Sequence, residues 1–267
     1  MFFCDIIYMT ASGQKQKGGK EMNTVKIEGE KTKMIAHRGV SGIERENTYP
    51  AFLAAGNRSY YGIETDIQVM ADGSFIAMHD DTTYRVSNGA SDINVGKSRI
   101  EDISGIVLPD LDGSTDRQDI RIPTLADYVN ICKKYKKKCI LEVKNLFSEE
   151  NIARLVEEVK ELGYLDGVIF ISIEYENCVN LRKLLPDAEV QYLTGLWMNE
   201  EIVRKLTDIK VDAGIDIDYG NRARNKERID LLHSLGMKVN VCVCDDPVLA
   251  RELIDMGADF ITTNILE

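Results

Sequence analysis

The stretch Met34–Asp80 carries the residues of this chain best suited to chemistry: two of its three histidines, His37 and His79, and the pair Glu64 and Asp66. Each of the two histidines closes an apolar run. Between them, Gly62–Met70 (GIETDIQVM) alternates with the period of two that a β-strand imposes. Ile63, Thr65, Ile67 and Val69 fall on one face, and Glu64, Asp66 and Gln68 on the other. Two carboxylates therefore stand side by side on a strand whose opposite face is fit for burial. Like charges held together away from water are costly unless a cation neutralises them. Carboxylate oxygens suit a hard divalent ion such as Mg²⁺ or Ca²⁺. Imidazole is the side chain that gives and takes protons near neutrality without large tuning. Each group also has a plainer reading, as a histidine at a strand end or as a carboxylate pair on a solvated edge strand. Their convergence within so few residues points to a site.

The elements that must position these groups follow from hydrophobic periodicity. Strands are expected at Met34–Ala36, Ile63–Val69, Cys139–Val143, Val168–Ile171, Glu189–Leu193, Ala213–Ile217, Lys238–Val243 and Phe260–Thr262. Phe75–Met78 is expected to pair back on the second of these across the Ala-Asp-Gly turn. Helices are expected from Asn47 or Thr48 to about Tyr60, with Pro50 in the first turn, then at Pro123–Tyr135, Ser148–Leu162, Tyr175–Leu185, Glu200–Leu206, Lys226–Leu235 and Pro247–Met256. Residues 81–122 are polar and rich in turn formers, so they read as an irregular inserted excursion. Eight strands alternating with helices imply a parallel sheet, and that number suits closure into a (β/α)8 TIM barrel of the α/β class. A doubly wound open sheet is the alternative, lowered by the lack of G-x-G-x-x-G after the first strand. The domain expectation is a single barrel over 34–267 with a small insertion.

A barrel makes a positional demand, because its functional groups sit at the C-terminal ends of strands. His37, Glu64 and Asp66 meet it. Ile140, Glu142 and Lys144 share one face of their strand, so Glu142 would add a third carboxylate beside Glu64 and Asp66. The alternative is an ion pair between Glu142 and Lys144 at the rim.

Composition narrows the function classes. The chain has 267 residues, 44% of them apolar, enough for a substantial core, and a formal charge of −11. That charge argues against a nucleic-acid backbone or an anionic membrane as a broad partner. A small anionic substrate stays compatible, since a bound cation and a few basic side chains reverse the sign locally. The six cysteines show no zinc-like spacing and read as reduced thiols in a cytoplasmic protein. Residues 1–33 read as a flexible or loosely attached extension, with a short strand at Thr24–Ile27. The apolar run at its start is broken by Asp5 and has no basic residue before it, which leaves a degenerate signal peptide as the lesser alternative. No segment is long and apolar enough to span a membrane.

The series His37-Arg38-Gly39, Glu46-Asn47-Thr48, Glu64-x-Asp66 and His79-Asp80 resembles the glycerophosphodiester phosphodiesterase family. The resemblance continues through Thr82–Gly89, Pro123-Thr124-Leu125 and Leu141-Glu142-Val143-Lys144, and it fades in the last third of the chain. It implies metal-dependent hydrolysis of glycerophosphodiesters to an alcohol and glycerol 3-phosphate. It further implies that Glu64, Asp66 and Glu142 hold one divalent cation, Mg²⁺ or Ca²⁺. Arg38 and Lys144 would contact the phosphoryl oxygens, and His37 and His79 would form a general acid–base pair acting through a cyclic phosphate. Which histidine is the acid stays open. Glu46 reads as a residue at the start of a helix near the site, or as a carboxylate supporting it; His233 reads as a surface or packing residue. Four departures stand out: Cys242-Val243 where Trp-Thr is usual, the closing Thr262-Thr263-Asn264-Ile265-Leu266 for Thr-Asp-x-Pro, Arg45 for Pro, and Asp127 for Glu. Alternative functions are a lysophospholipase D, which would need an apolar groove beside the site, and a non-catalytic relative that binds headgroups or a protein partner.

Overall fold

The structure, a computed structural model, describes residues 23–27, 31–196 and 198–267. Its strands are β1 (Lys33–Ala36), β2 (Gly62–Val69), β3 (Phe75–Ala77), β4 (Lys138–Val143), β5 (Val168–Ser172), β6 (Glu189–Leu193), β7 (Asp212–Asp216), β8 (Val239–Cys242) and β9 (Phe260–Thr263). All but β3 pair in parallel, in the order β1-β9-β8-β7-β6-β5-β4-β2, and β1 pairs with β2 to close the barrel. The expected (β/α)8 barrel is the observed fold. Its interior holds Ile35, Ile140, Ile169, Ile171 and Phe260. A larger apolar layer, including Phe52, Tyr128, Leu155 and Leu249, packs strands against helices. Both faces of β2 are therefore covered, which excludes the solvated edge strand.

The helices are α1 (Tyr49–Gly56), α2 (Ile100–Ile103), α3 (Leu125–Tyr135), α4 (Glu149–Glu161), α5 (Tyr175–Leu184), α6 (Glu200–Ile209), α7 (Arg222–Ser234) and α8 (Pro247–Met256). Local chemistry sets several of their starts. Ser148 accepts from Asn151 N before α4, and Thr124 and Asp127 form a reciprocal capping box before α3. Asp127, one of the departures, is thus accounted for as a cap. Three helices differ from expectation, one of them α6, which runs on past Leu206 to Ile209. α1 stops at Gly56, short of Tyr60, because Tyr60 is drawn into the core. α7 begins a turn before Lys226, where Asn221 accepts from Arg224 N; the basic run that follows hides this start from apolar periodicity.

The 81–122 excursion is more ordered than expected. It contains α2, and its Val86, Val95, Ile103, Leu108 and Ile120 bury themselves with Met70, Ile76 and Met78. Those three residues flank the β2–β3 hairpin, so the insertion packs beside the strand that carries Glu64 and Asp66. β1 matches only the start of β2, and β3 covers the same edge further on, at Ile67↔Ala77 and Val69↔Phe75. This hairpin returns the chain to the barrel mouth, where Met78 N donates to Asp66 O at 2.8 Å. His79 follows directly.

Of the N-terminal stretch read as a loose extension, residues 23–27 are tied to the end of the chain. Val25 bridges Leu266 in parallel, and Glu267 N donates to Val25 O at 2.8 Å. The apolar run and most of the Lys- and Gly-rich stretch, with Cys4, lie outside the described residues. The five described cysteines are all free thiols. Among the described residues no helix is long and apolar enough to cross a membrane.

Candidate active site

The carboxylates meet as strand alternation requires. β2 and β4 are paired with Glu64 opposite Ile140 and Asp66 opposite Glu142, so all three acids project into the C-terminal mouth. One oxygen from each of Glu64, Asp66 and Glu142 lies within 4.8 Å of the others. Glu64 and Asp66 are 2% and 1% exposed. Burial, reinforced by the charges of Asp66 and Glu142, pushes the Glu64 carboxyl well above the usual carboxylate range. Burial pushes Asp66 the same way, but Arg38, Lys144 and the hydrogen bond from Asn47 outweigh it and hold Asp66 low. Glu142 is raised by burial and by Asp66, against the opposing pull of Lys144.

Two cations answer these three acids. Lys144 Nζ donates to Glu142 Oε1 at 2.9 Å and lies 3.6 Å from Asp66 Oδ1. The rim ion pair posed as an alternative thus exists, and it exists inside the carboxylate cluster. Arg38 Nε stands 3.3 Å from Asp66 Oδ2, while its backbone N–H donates to Glu64 Oε2 at 2.7 Å. That backbone contact depends on a left-handed turn, with φ of 52° at Arg38 and 78° at Gly39. A Cβ at residue 39 would sit 2.6 Å from that of Ala51, which accounts for glycine there.

The cluster fits a divalent ion. Three hard oxygen donors converge, the two cations leave negative charge uncompensated, and one acid is driven toward its protonated form. These are conditions that a dication would relieve.

Both histidines reach this mouth. His37, after β1, has Nδ1 at 2.8 Å from Asn264 Oδ1 and Nε2 at 4.0 Å from Glu64 Oε2. Burial, with the charge of Arg38, lowers its pKa to about 4, so the ring is neutral at neutral pH. His79 Nδ1 lies 2.7 Å from Asp80 Oδ1. Arg85, from the insertion, donates to both oxygens of Asp80, including the Oδ1 that His79 meets, and to both oxygens of Glu46. Arg38 Nη1 donates to the same Glu46 at 2.9 Å. Burial would raise Glu46, but the Arg85 hydrogen bonds and the Arg38 charge hold it at about 2. Glu46 is therefore a support of Arg38, not merely a residue at a helix start.

His233 sits at the other end of the barrel, with Nε2 at 2.9 Å from Asp259 Oδ2 just before β9. Arg45 donates to Val86 O at 2.7 Å and ties the α1 approach to the insertion.

Sequence reasoning missed Asn47, Arg85, Asp245 and Asn264. Asn47, expected as a cap, instead adopts φ of 50° and donates to Asp66 Oδ2 at 2.7 Å while accepting from Thr65 Oγ1. Its place in the Glu46-Asn47-Thr48 motif was the available signal. Arg85 lies in the Thr82–Gly89 stretch and Asn264 in the departure from Thr-Asp-x-Pro, signals that marked their places but not their roles; Asp245 carried none.

Acids, imidazoles and cations gathered at the carboxyl ends of the strands define a TIM-barrel enzyme. Residues 37–267 match the glycerophosphoryl diester phosphodiesterase family, and the chain belongs to that family of hydrolases. A glycerophosphodiester phosphodiesterase of Bacillus altitudinis is 28% identical over 241 residues, covering 87% of this chain and 94% of the relative. A solved glycerophosphodiester phosphodiesterase from Parabacteroides distasonis superposes with a TM-score of 0.70 at 27% identity, over 88% of this chain and 93% of its own. An Oleispira antarctica phosphodiesterase, solved with the product sn-glycerol-3-phosphate, reaches a TM-score of 0.78 at 24% identity, over 87% of this chain and 92% of its own; that likeness is one of fold.

Proposed function

We propose that the chain hydrolyses glycerophosphodiesters to an alcohol and glycerol 3-phosphate, with His37 as first base and His79 as first acid. The observation that carries this reading is the meeting of Glu64, Asp66 and Glu142 within 4.8 Å at the mouth that holds Arg38, Lys144 and both imidazoles. A divalent ion, Mg²⁺ or Ca²⁺, would be held by those three carboxylates and would supply charge to stabilise the phosphoryl group as negative charge builds on it.

Arg38 and Lys144 bind and orient the phosphoryl oxygens. The neutral His37 ring accepts a proton at Nε2 from the glycerol hydroxyl next to the phosphorylated oxygen. That oxygen attacks phosphorus, the bond to the alcohol breaks, and His79 gives the departing alcohol its proton. The substrate holds its own nucleophile, an arrangement worth roughly 7–11 kcal/mol in the best-aligned cases. Water then opens the cyclic phosphate with the two imidazoles in exchanged roles. Asp80 on His79 Nδ1 supports a donor; the amide on His37 Nδ1 supports an acceptor.

A second reading draws on one further observation. Leu146, Ile173, Leu196 and Tyr219 are all exposed, one on each loop following β4, β5, β6 and β7. This apolar crescent on the catalytic end supports a lysophospholipase D whose substrate keeps an acyl chain. A substrate panel of glycerophosphodiesters and lysophospholipids, run with and without cation, tests both. The first reading expects glycerol 3-phosphate release that needs Mg²⁺ or Ca²⁺. Faster cleavage of lysophospholipids would transfer the assignment to the second reading. Binding without turnover in either class would leave a headgroup-binding relative.

A further inference from the structure

We infer that Asp245, acting through Asn264, is a positioning pair that fixes which nitrogen of His37 carries the proton. The inference rests on His37 serving as the base and deepens that reading by tracing the amide on Nδ1 back to Asp245. Asn264 lies just past β9, and Asp245 in the loop between β8 and α8.

The constraint on the ring begins at the residue farthest from it, Asp245. An ionised carboxylate has only acceptor sites, so every neighbour facing it must present a donor. The donors to Asp245 include Asn264 N at 2.7 Å, Asn264 Nδ2 at 2.6 Å and Thr263 Oγ1 at 2.9 Å. The first and third hold the loop against the strand end. The second decides chemistry. Because the amide NH₂ must face Asp245, the amide carbonyl must face the other way, toward His37 Nδ1 at 2.8 Å. Ser41 Oγ lies 2.5 Å from the same Oδ1 and 2.8 Å from His37 O, two acceptors that share its single proton, so Asp245 is what orients the amide. A carbonyl oxygen only accepts, so Nδ1 must be the protonated nitrogen of the neutral ring. The lone pair then belongs to Nε2, the nitrogen 4.0 Å from Glu64 Oε2 on the side of the carboxylates. His37 N also donates to Thr263 O at 2.8 Å, which fixes the backbone that carries the ring. Without the carboxylate, the amide could turn over and offer its NH₂ to Nδ1. The ring would then protonate at Nε2, the wrong nitrogen for a base.

The readout is the tautomer itself, in the full chain with saturating Mg²⁺. Histidine labelled with ¹⁵N gives ring signals from only three residues, and loss of one set in His37→Gln assigns His37. Wild type should show Nδ1 protonated and Nε2 not. Asn264→Leu should yield a mixture of tautomers and lower kcat by about 10–100-fold, the usual scale for a group orienting a catalytic one, with KM little changed. The exchange variant Asp245→Asn/Asn264→Asp keeps an acceptor on Nδ1 and a donor on that acceptor. It should restore both the tautomer and most of the activity. An unchanged tautomer in Asn264→Leu would overturn the inference. So would an exchange variant no better than Asn264→Leu, and this second comparison decides alone if the leucine variant does not fold. Full activity in His37→Ala would instead sink the base assignment and leave the tautomer result standing, so the two failures are distinct.

Discussion

His37 and His79 serve one barrel mouth from surroundings of opposite character. His37 is the more enclosed, its side chain 19% exposed, and rests on an amide; His79 is 35% exposed and rests on a carboxylate. Their partners also differ in origin. Asp80 is the next residue along from His79, whereas Asn264 lies 227 positions from His37. One imidazole is equipped by its own motif and the other by closure of the barrel, which sets the last strand beside the first. Groups that look equivalent in a motif can therefore be tuned apart by topology.

Removing the cation should erase the contrast and cause the largest loss. Exhaustive chelation should abolish phosphodiesterase activity, and Mg²⁺ or Ca²⁺ should restore it. Full activity after chelation would end the role given to Glu64, Asp66 and Glu142. Next in size come the imidazoles. His37→Ala and His79→Ala should each lower turnover by about 10²–10⁴-fold, the usual range for one acid–base group. His233→Ala, at the opposite end, should change activity little; a loss equal to the other two would require a different site. A smaller effect separates the surroundings. Asp80→Asn keeps the hydrogen-bonding shape beside His79 but removes the charge, and should cost about 10–100-fold in kcat. The tautomer of His37 should not change. Loss of that tautomer in Asp80→Asn would mean that the two imidazoles are coupled, not independently equipped.

The same contrast explains what could be read in the sequence. Strand alternation fixes which side chains share a face, so Glu64, Asp66, Glu142 and Lys144 were legible as one cluster once a barrel was expected. The barrel itself followed from strands recurring between helices, and most helix bounds held to within a few residues. The inserted segment was harder: Val86, Val95, Ile103, Leu108 and Ile120 bury one another from scattered positions with no period. Asn47 had a motif around it but read as a cap, because its left-handed φ is set by tertiary contacts. Arg85 and Asn264 act across 39 and 227 positions. The family stretches mark their places, but no local pattern marks the partner each one meets.

The division of labour between the histidines is tested most directly by changing the leaving group. A glycerol phosphodiester with a nitrophenyl leaving group needs no proton to depart, while its nucleophilic hydroxyl still needs a base. Release of nitrophenolate, compared with release of an alkyl alcohol, reads the first step in each variant. His79→Ala should be severely slowed on the alkyl substrate and recover to within about 10-fold of wild type on the nitrophenyl one. His37→Ala should stay slow on both. Recovery of His37→Ala with the nitrophenyl substrate, or equal deficits for the two variants on both substrates, would contradict the assignment of base and acid.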